Sequence, residues 1–524
     1  GNQVGATNGT EISGFASLAN NVANDGTLTT NADASLTGNQ VGSTNGTAIS
    51  GFASLDSTND GTLTTNADAS LTGNQVGSTN GTAISGFASL DSTNDGTLTT
   101  NADASLTGNQ VGSTNGTAIS GFASLDSTND GTLTTNADAS LTGNQVGSTN
   151  GTAISGFASL ANNNVANDGT LTTNDDAVLS GNQVGATNGT EISGFASLDS
   201  TNDGTLTTND HALLTDDKAG NTNFTDFDGF ETIVANGQVD QSLDIQFTEA
   251  DVDLTSPGRG DVDEVTNFRG FNSINANSTD GDVLNDQSGN SNLVTSGDFA
   301  GTLDGTNYSS FEIVNMGSGD DNVILSHDVG QLNLDSGMDS ATFLSGSSGT
   351  VDLGSGNDAA NIDYEINTQT NQISLDGGDD SDTLNLNAFD LEDAALMAID
   401  GELGAFIAFA SDPTGETFDS DLFNLSATNF ETVNWDKSSQ DSNAVSDARL
   451  VGVSETTVDV DDDLTVDYDV SGNSESDATG VSIGASAYSE LITIGVEDSD
   501  FDAADGVSFD LDFGGVSSAS SSST

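Results

Sequence analysis

The sequence predicts an all-β protein: a parallel β-solenoid built of tandem repeats, then a capping segment, then a small immunoglobulin-like β-sandwich. Three observations carry this. The unit "GNQVGSTNGTAISGFASLDSTNDGTLTTNADASLT" fills residues 38–72 and returns unchanged at 73–107 and 108–142. Short β-compatible pieces such as "TAIS", "GTLTT" and "ASLTG" sit between Asn-Gly, Asp-Gly and Gly-Asn turn signals, with no sustained helical period. Near the C-terminus the apolar residues fall into strict alternation.

The first segment, residues 1–215, holds six repeats that start at Gly1, Gly38, Gly73, Gly108, Gly143 and Gly181. Extra residues fall at one point, where "ANNVANDG" or "ANNNVANDG" replaces "DSTNDG", and insertions mark a loop. The two halves of a repeat echo each other, as "NGTAISGFASL" and "NDGTLTTNADASL". This favours two coils of about 17–18 residues per repeat, each a pair of short strands; one larger coil is the competing geometry. Residues 216–390 continue the style as degenerate coils, seen in "NFTDFDGFETIVANG", "VTNFRGFNSINAN" and "NYSSFEIVNMG". A stack of coils leaves a bare apolar end. Residues 391–442, with the apolar run "LEDAALMAIDGELGAFIAFA", suit a cap containing one short helix. Residues 443–516 alternate apolar and polar positions in "TTVDVDDDLTVDYDV" and "GVSFDLDF", the pattern of half-buried antiparallel strands. Residues 517–524 form a Ser-rich tail.

Composition narrows the function. The chain has 81 acidic and five basic residues among 524, a formal charge of −76. Nucleic acid and anionic membrane both need a basic surface, so neither is expected as a partner. Cations are favoured, and salt or bound metal must relieve the self-repulsion. Cysteine is absent, so disulfides and thiolate chemistry are excluded. No apolar run reaches the ~20 residues of a membrane-spanning helix. Low Lys with abundant Asn, Thr, Ser and Gly points to an extracellular or cell-surface location. The chain starts at Gly1, in register with the repeat and without Met, as expected of a processed or excised piece.

Residues 316–386 hold the chemistry. Gly-Asp turns alternate there with plain ones: "MGSGDDNV", "DSGMDSA", "LGSGNDA" and "GGDDSDTL". Glycines turn the backbone tightly and aim its carbonyls, while an Asp adds charge and the apolar residue two places later enters the core. Calcium takes six to eight oxygens at ~2.3–2.6 Å, a demand such turns can meet. A spacing near 18 residues sets Asp321, Asp339 and Asp358 above one another, ~4.8 Å apart per coil. Carboxylates that close repel unless a cation lies between them.

This stretch resembles the repeats-in-toxin family, the haemolysin-type calcium repeat, whose nonapeptide is G-G-x-G-x-D-x-U-x. The match runs through Gly317–Val323, Gly354–Asp358 and Gly377–Leu384, and more weakly through Gly337 and Asp339. Met316 and Leu353 replace first glycines, Asp380 replaces a third glycine, and only every second turn carries the motif. The resemblance implies calcium, held by Asp321, Asp339, Asp358 and Asp382 with the turn glycines Gly319, Gly337, Gly356 and Gly378.

Other motifs point to little chemistry. His211 and His327 stand alone, and no set of residues suggests an enzyme. "RGD" at 259–261 matches an integrin-binding tripeptide, and "NGT" recurs once per repeat as an N-glycosylation acceptor or a plain turn. The function expected is structural: a surface fibre, stalk or surface-layer subunit stabilised by calcium. The in-register start at Gly1 suggests head-to-tail or lateral association with copies of itself. The alternative is an adhesin or binding module for surface polysaccharide or ice. It would use stacked T-x-T pairs such as Thr62 and Thr64 on a flat Thr/Asn-rich face.

Overall fold

The computed structural model describes residues 4–7, 9–21, 26–164, 169–237, 240–277, 281–344, 346–364, 372–388, 405, 408–420, 424–436, 508–511 and 519–522. Among the described residues strands hold 59% and helix 1%, which makes the protein all-β and solenoid-like. It divides into two compact units, Gly1–Phe247 with Gly258–Ser273 and Thr248–Pro257 with Ile274–Thr524.

In the first unit, Ala34–Gly38, Val41–Thr44 and Thr47–Ser50 form an antiparallel meander. Asn45 and Gly46 join its last two strands with φ of 50° and 70°, the paired positive values of a type I′ turn. Ser54–Ser57 then crosses to the opposite sheet and Thr62–Thr65 returns. The next meander, Ala69–Gly73, Val76–Thr79 and Thr82–Ser85, lies in that opposite sheet. Neighbouring repeats therefore exchange sheets. Between meanders the pairing is parallel, with Ala34 beside Leu63, Leu63 beside Leu90 and Leu90 beside Ile119.

This corrects the expected coil. In the 35-residue repeats, facing residues on adjacent parallel strands are 29 or 27 positions apart, so a repeat is neither two coils of 17–18 residues nor one larger coil. Two features enforce the meander. The Asn-Gly turn fits only a tight hairpin. Gly42 faces the neighbouring strand so closely that a Cβ would lie 1.8 Å from the Ser35 carbonyl oxygen. Leu36, Ile49, Leu55 and Leu63 are buried inside, as are Phe87, Phe122, Phe157 and Phe195 from "GFASL".

The second unit keeps one such meander, Asn292–Gly297, Ala300–Leu303 and Thr306–Ser309, and then simplifies. Ile313–Asn315, Asp328–Asn333, Ser348–Asp352, Ile373–Asp376 and Leu425–Thr428 pair in parallel in one sheet. Asn322–Leu325, Ser340–Phe343, Ala359–Tyr364, Thr383–Ala388 and Thr432–Asp436 do so in the other. Here the chain is a two-strand coil of the length that the Gly-Asp spacing predicts. Val323, Leu332, Ala341, Val351, Ala360 and Leu384 are buried in its interior.

Of the predicted cap, helical residues 405 and 408–411, the hairpin Thr417–Ser420 with Leu425–Thr428, and the strand Thr432–Asp436 are described, and the last two strands continue the sheets of the coil. The predicted sandwich lies almost wholly outside the described residues; the strand Ser508–Leu511, paired with Ala519–Ser522, is its described part.

Candidate metal centre

All four Gly-Asp turns fall on one edge of the second unit, where the chain passes from the first sheet of the two-strand coil to the second. Asp321, Asp339, Asp358 and Asp382 each stand one residue before a strand of the second sheet. The turns between them stack through backbone hydrogen bonds. Gly319 N–H donates to the Ser336 carbonyl (2.8 Å), Gly337 N–H to that of Ser355 (2.9 Å), and Asp379 N–H to that of Gly354 (2.8 Å).

The four aspartates form a ladder. The Asp321 amide donates to Asp339 Oδ1 (2.7 Å), the Asp339 amide to Asp358 Oδ1 (2.7 Å), and the Asp358 amide to Asp382 Oδ1 (2.9 Å). The intervals are 18, 19 and 24 residues. Two further residues, not foreseen from the sequence, finish it. The Ser291 amide donates to Asp321 Oδ1 (2.7 Å) and the Asp382 amide to Glu431 Oε2 (2.8 Å). The available signal was an acid directly before an apolar strand, as in "NFETV". A shorter ladder of the same kind runs from the Ala250 amide to Asp282 Oδ1 and from the Asp282 amide to Glu312 Oε2.

Every aspartate of the main ladder is 0–2% exposed. Its second oxygen, Oδ2, is buried in all four cases and meets no hydrogen-bond donor among the described residues. Burial is the chief cause that pushes the Asp321 carboxyl up to about 7 and those of Asp339 and Asp382 up to about 6; it raises Asp358 too. Neighbouring carboxylates push the same way: Asp339 and Asp286 on Asp321, Asp358 on Asp339, and Asp358 and Glu431 on Asp382.

The glycines are dictated by close approach. A Cβ on Gly337 would lie 1.7 Å from the Gly319 carbonyl oxygen, on Gly356 1.5 Å from that of Gly337, and on Gly378 1.8 Å from that of Gly354. Gly319 and Gly356 also sit at φ of 144° and 149°. The carbonyls of Gly319 and Gly337 thus point along the stack, and among the described residues neither accepts a hydrogen bond. Asp380, in place of the family's third glycine, is held at φ 90°.

These residues fit a hard cation in part. Each coil supplies one buried carboxylate oxygen that lacks a donor, and two turns add carbonyl oxygens with no hydrogen bond. Among the described residues, no three acidic or histidine side chains already converge as a metal cage. A bound ion would therefore draw on backbone carbonyls as well as aspartates.

The other candidate motifs are absorbed by structure. His211 Nδ1 accepts from the Ser242 amide (3.0 Å), and His327 Nδ1 pairs with Ser326 Oγ (2.9 Å). "RGD" lies within the strand Arg259–Val262, where Gly260 is buried opposite Phe268. The stacked T-x-T rows do not form: Thr62 faces Ser89, and Thr64 faces Ser35 and Asp91.

The Asn of "NGT" serves as a lock between repeats. Asn80 Nδ2 lies 2.9 Å from the Leu36 carbonyl, 3.0 Å from Thr65 Oγ1 and 3.1 Å from Asn66 Oδ1. Thr65 and Thr79 share a buried hydroxyl–hydroxyl bond of 2.7 Å beside it. The arrangement recurs at Asn115, Asn150 and Asn188. Nδ2, the atom that would carry a glycan, is thus engaged in holding the repeats together.

Comparison with protein-family models, with characterised proteins and with solved structures finds no match to this chain.

Proposed function

We propose that this chain is an extracellular structural protein: a β-solenoid subunit of a surface fibre, stalk or layer that associates with copies of itself and is stiffened by calcium. One observation carries the structural reading. Each repeat offers the next the same strand surface that it receives: Leu63 on Leu90, Leu98 on Leu125 and Leu133 on Leu160. Such tiles bury their apolar faces only against neighbours, so copy number sets length.

The calcium reading rests on the aspartate ladder. Asp321, Asp339, Asp358 and Asp382 would contribute Oδ2 oxygens, and the Gly319 and Gly337 carbonyls would contribute to the shell. Bound calcium would supply the positive charge that four buried carboxylates lack. The surface location rests on composition, with its charge of −76 and no cysteine.

The test uses negative-stain microscopy and small-angle scattering of the full chain in millimolar calcium, beside a variant lacking residues 73–107. Elongated particles that join into fibres or lattices are expected. The variant should be folded and shorter by about 12 Å per subunit, half of five strands at ~4.8 Å each. Particles that stay single under every condition would remove the self-association, and an unfolded variant would remove the tile.

A further inference from the structure

Asn-Gly is the dipeptide most prone to spontaneous loss of the side-chain amide, because glycine leaves its own amide nitrogen open to turn on the preceding side chain. This chain carries seven such pairs, at Asn8, Asn45, Asn80, Asn115, Asn150, Asn188 and Asn236. By sequence alone they are equivalent. By structure they are not.

In the repeats the pair sits in a type I′ turn whose φ values are fixed near 50° and 66° at Asn80 and Gly81. The leaving group, Nδ2, is held among three acceptors, one of them a backbone carbonyl two repeats earlier. Moving Cγ onto the Gly81 nitrogen would break that lock and the hairpin with it. Asn236 differs in each respect. It follows the last residue of the strand Thr232–Ala235, it is exposed, and so is Gly237. A Cβ on Gly237 would meet nothing within 4 Å. The only hydrogen bond given by Asn236 among the described residues is from its backbone amide to the Thr208 carbonyl (2.9 Å).

We infer that Asn236 is a covalent modification site of the folded chain, and that folding silences the locked Asn-Gly pairs at Asn80, Asn115, Asn150 and Asn188. The step is balanced without any added reagent but water. The deprotonated Gly237 nitrogen attacks Asn236 Cγ, a C–N bond forms, the Cγ–Nδ2 bond breaks and ammonia leaves. Water then opens the cyclic imide at either carbonyl, giving aspartate or isoaspartate and one new negative charge. In an unfolded repeat the same step would be irreversible damage. A carboxylate replacing Nδ2 of Asn80 would face the Leu36 carbonyl and Thr65 Oγ1 with no proton to give.

The test incubates the full chain at mildly alkaline pH, folded and in denaturant, and follows amide-to-acid conversion by peptide mass after Glu- and Asp-directed cleavage. Folded, Asn236 should convert at nearly its denatured rate. The repeat peptides should convert at least ~10-fold more slowly than when denatured, because they must first open. Asn236→Gln should remove most of the conversion that the folded chain shows beyond residue 72. Equal conversion of the repeat peptides and Asn236 in the folded chain would overturn the inference. So would an Asn236 that stays intact when folded yet converts when denatured.

Discussion

Asp339 meets two demands with one side chain. Its Oδ1 holds the amide of the coil before it, while its Oδ2 is buried without a donor. Because burial pushes Asp321 up to about 7 and Asp339 and Asp382 up to about 6, the folded ladder binds protons that the unfolded chain, with carboxyls near 3.8, releases. The stability contributed by that protonation is fully present below the unfolded value and is lost as pH rises through about 6 to 7. Without calcium, the unit bearing the ladder should thus melt at higher temperature near pH 4 than near pH 8. Asp339→Asn keeps the Oδ1 acceptor and removes the charge. It should flatten this dependence, raise cation-free stability near pH 8 by ~1 kcal/mol or more, and shrink the gain from calcium. A variant less stable than the parent without calcium at that pH would contradict the ladder's electrostatics; circular dichroism melts decide.

These aspartates were legible because Gly-x-Asp spacing repeats nearly once per coil. The lock at Asn80 was not. Asn-Gly announces a turn, but the Leu36 carbonyl it reaches lies 44 residues away, and that distance depends on how coils stack.

At the scale of the element, the missed meander has a physical cause. "VGST" and "TAIS" have the same period of two whether their partner runs parallel or antiparallel, so periodicity could not choose. The discriminating signal was the two-residue Asn-Gly loop between them, which favours a hairpin. The two-strand coil of residues 313–364 was legible, since its Gly-Asp turns recur at 18 and 19 residues. Asn223 and Phe224 show how strongly the hairpin is imposed. They hold φ of 52° and 56°, where the repeats have Asn-Gly, and Phe224 is 69% exposed. A bulky side chain in this conformation costs ~1 kcal/mol or more, with no burial to offset it. Phe224→Gly should therefore raise the denaturant midpoint by the equivalent of ~1 kcal/mol. An unchanged or lower midpoint would mean that the ring stabilises the turn.

At the scale of the whole chain, two ways of stacking share one composition. The repeats hold together through apolar rungs and the neutral Thr–Thr–Asn lock, and carry their acids on the outside. The Gly-Asp coils place acids inside. A net charge of −76 strains both, and salt relieves the outer charges far more than the buried ones. Calcium should therefore matter to the ladder and not to the repeats. One bound ion at a hundredfold excess over Kd stabilises the folded state by ~2.7 kcal/mol. The most direct measurement is amide hydrogen exchange on the full chain at low salt, with calcium and after chelation. Chelation should strip protection from Asn322–Leu325, Ser340–Phe343 and Ala359–Tyr364, while Thr97–Thr100 and Ser124–Ser127 in the repeats keep theirs. Equal protection of the ladder strands with and without calcium would contradict it and leave the Gly-Asp turns as turns alone.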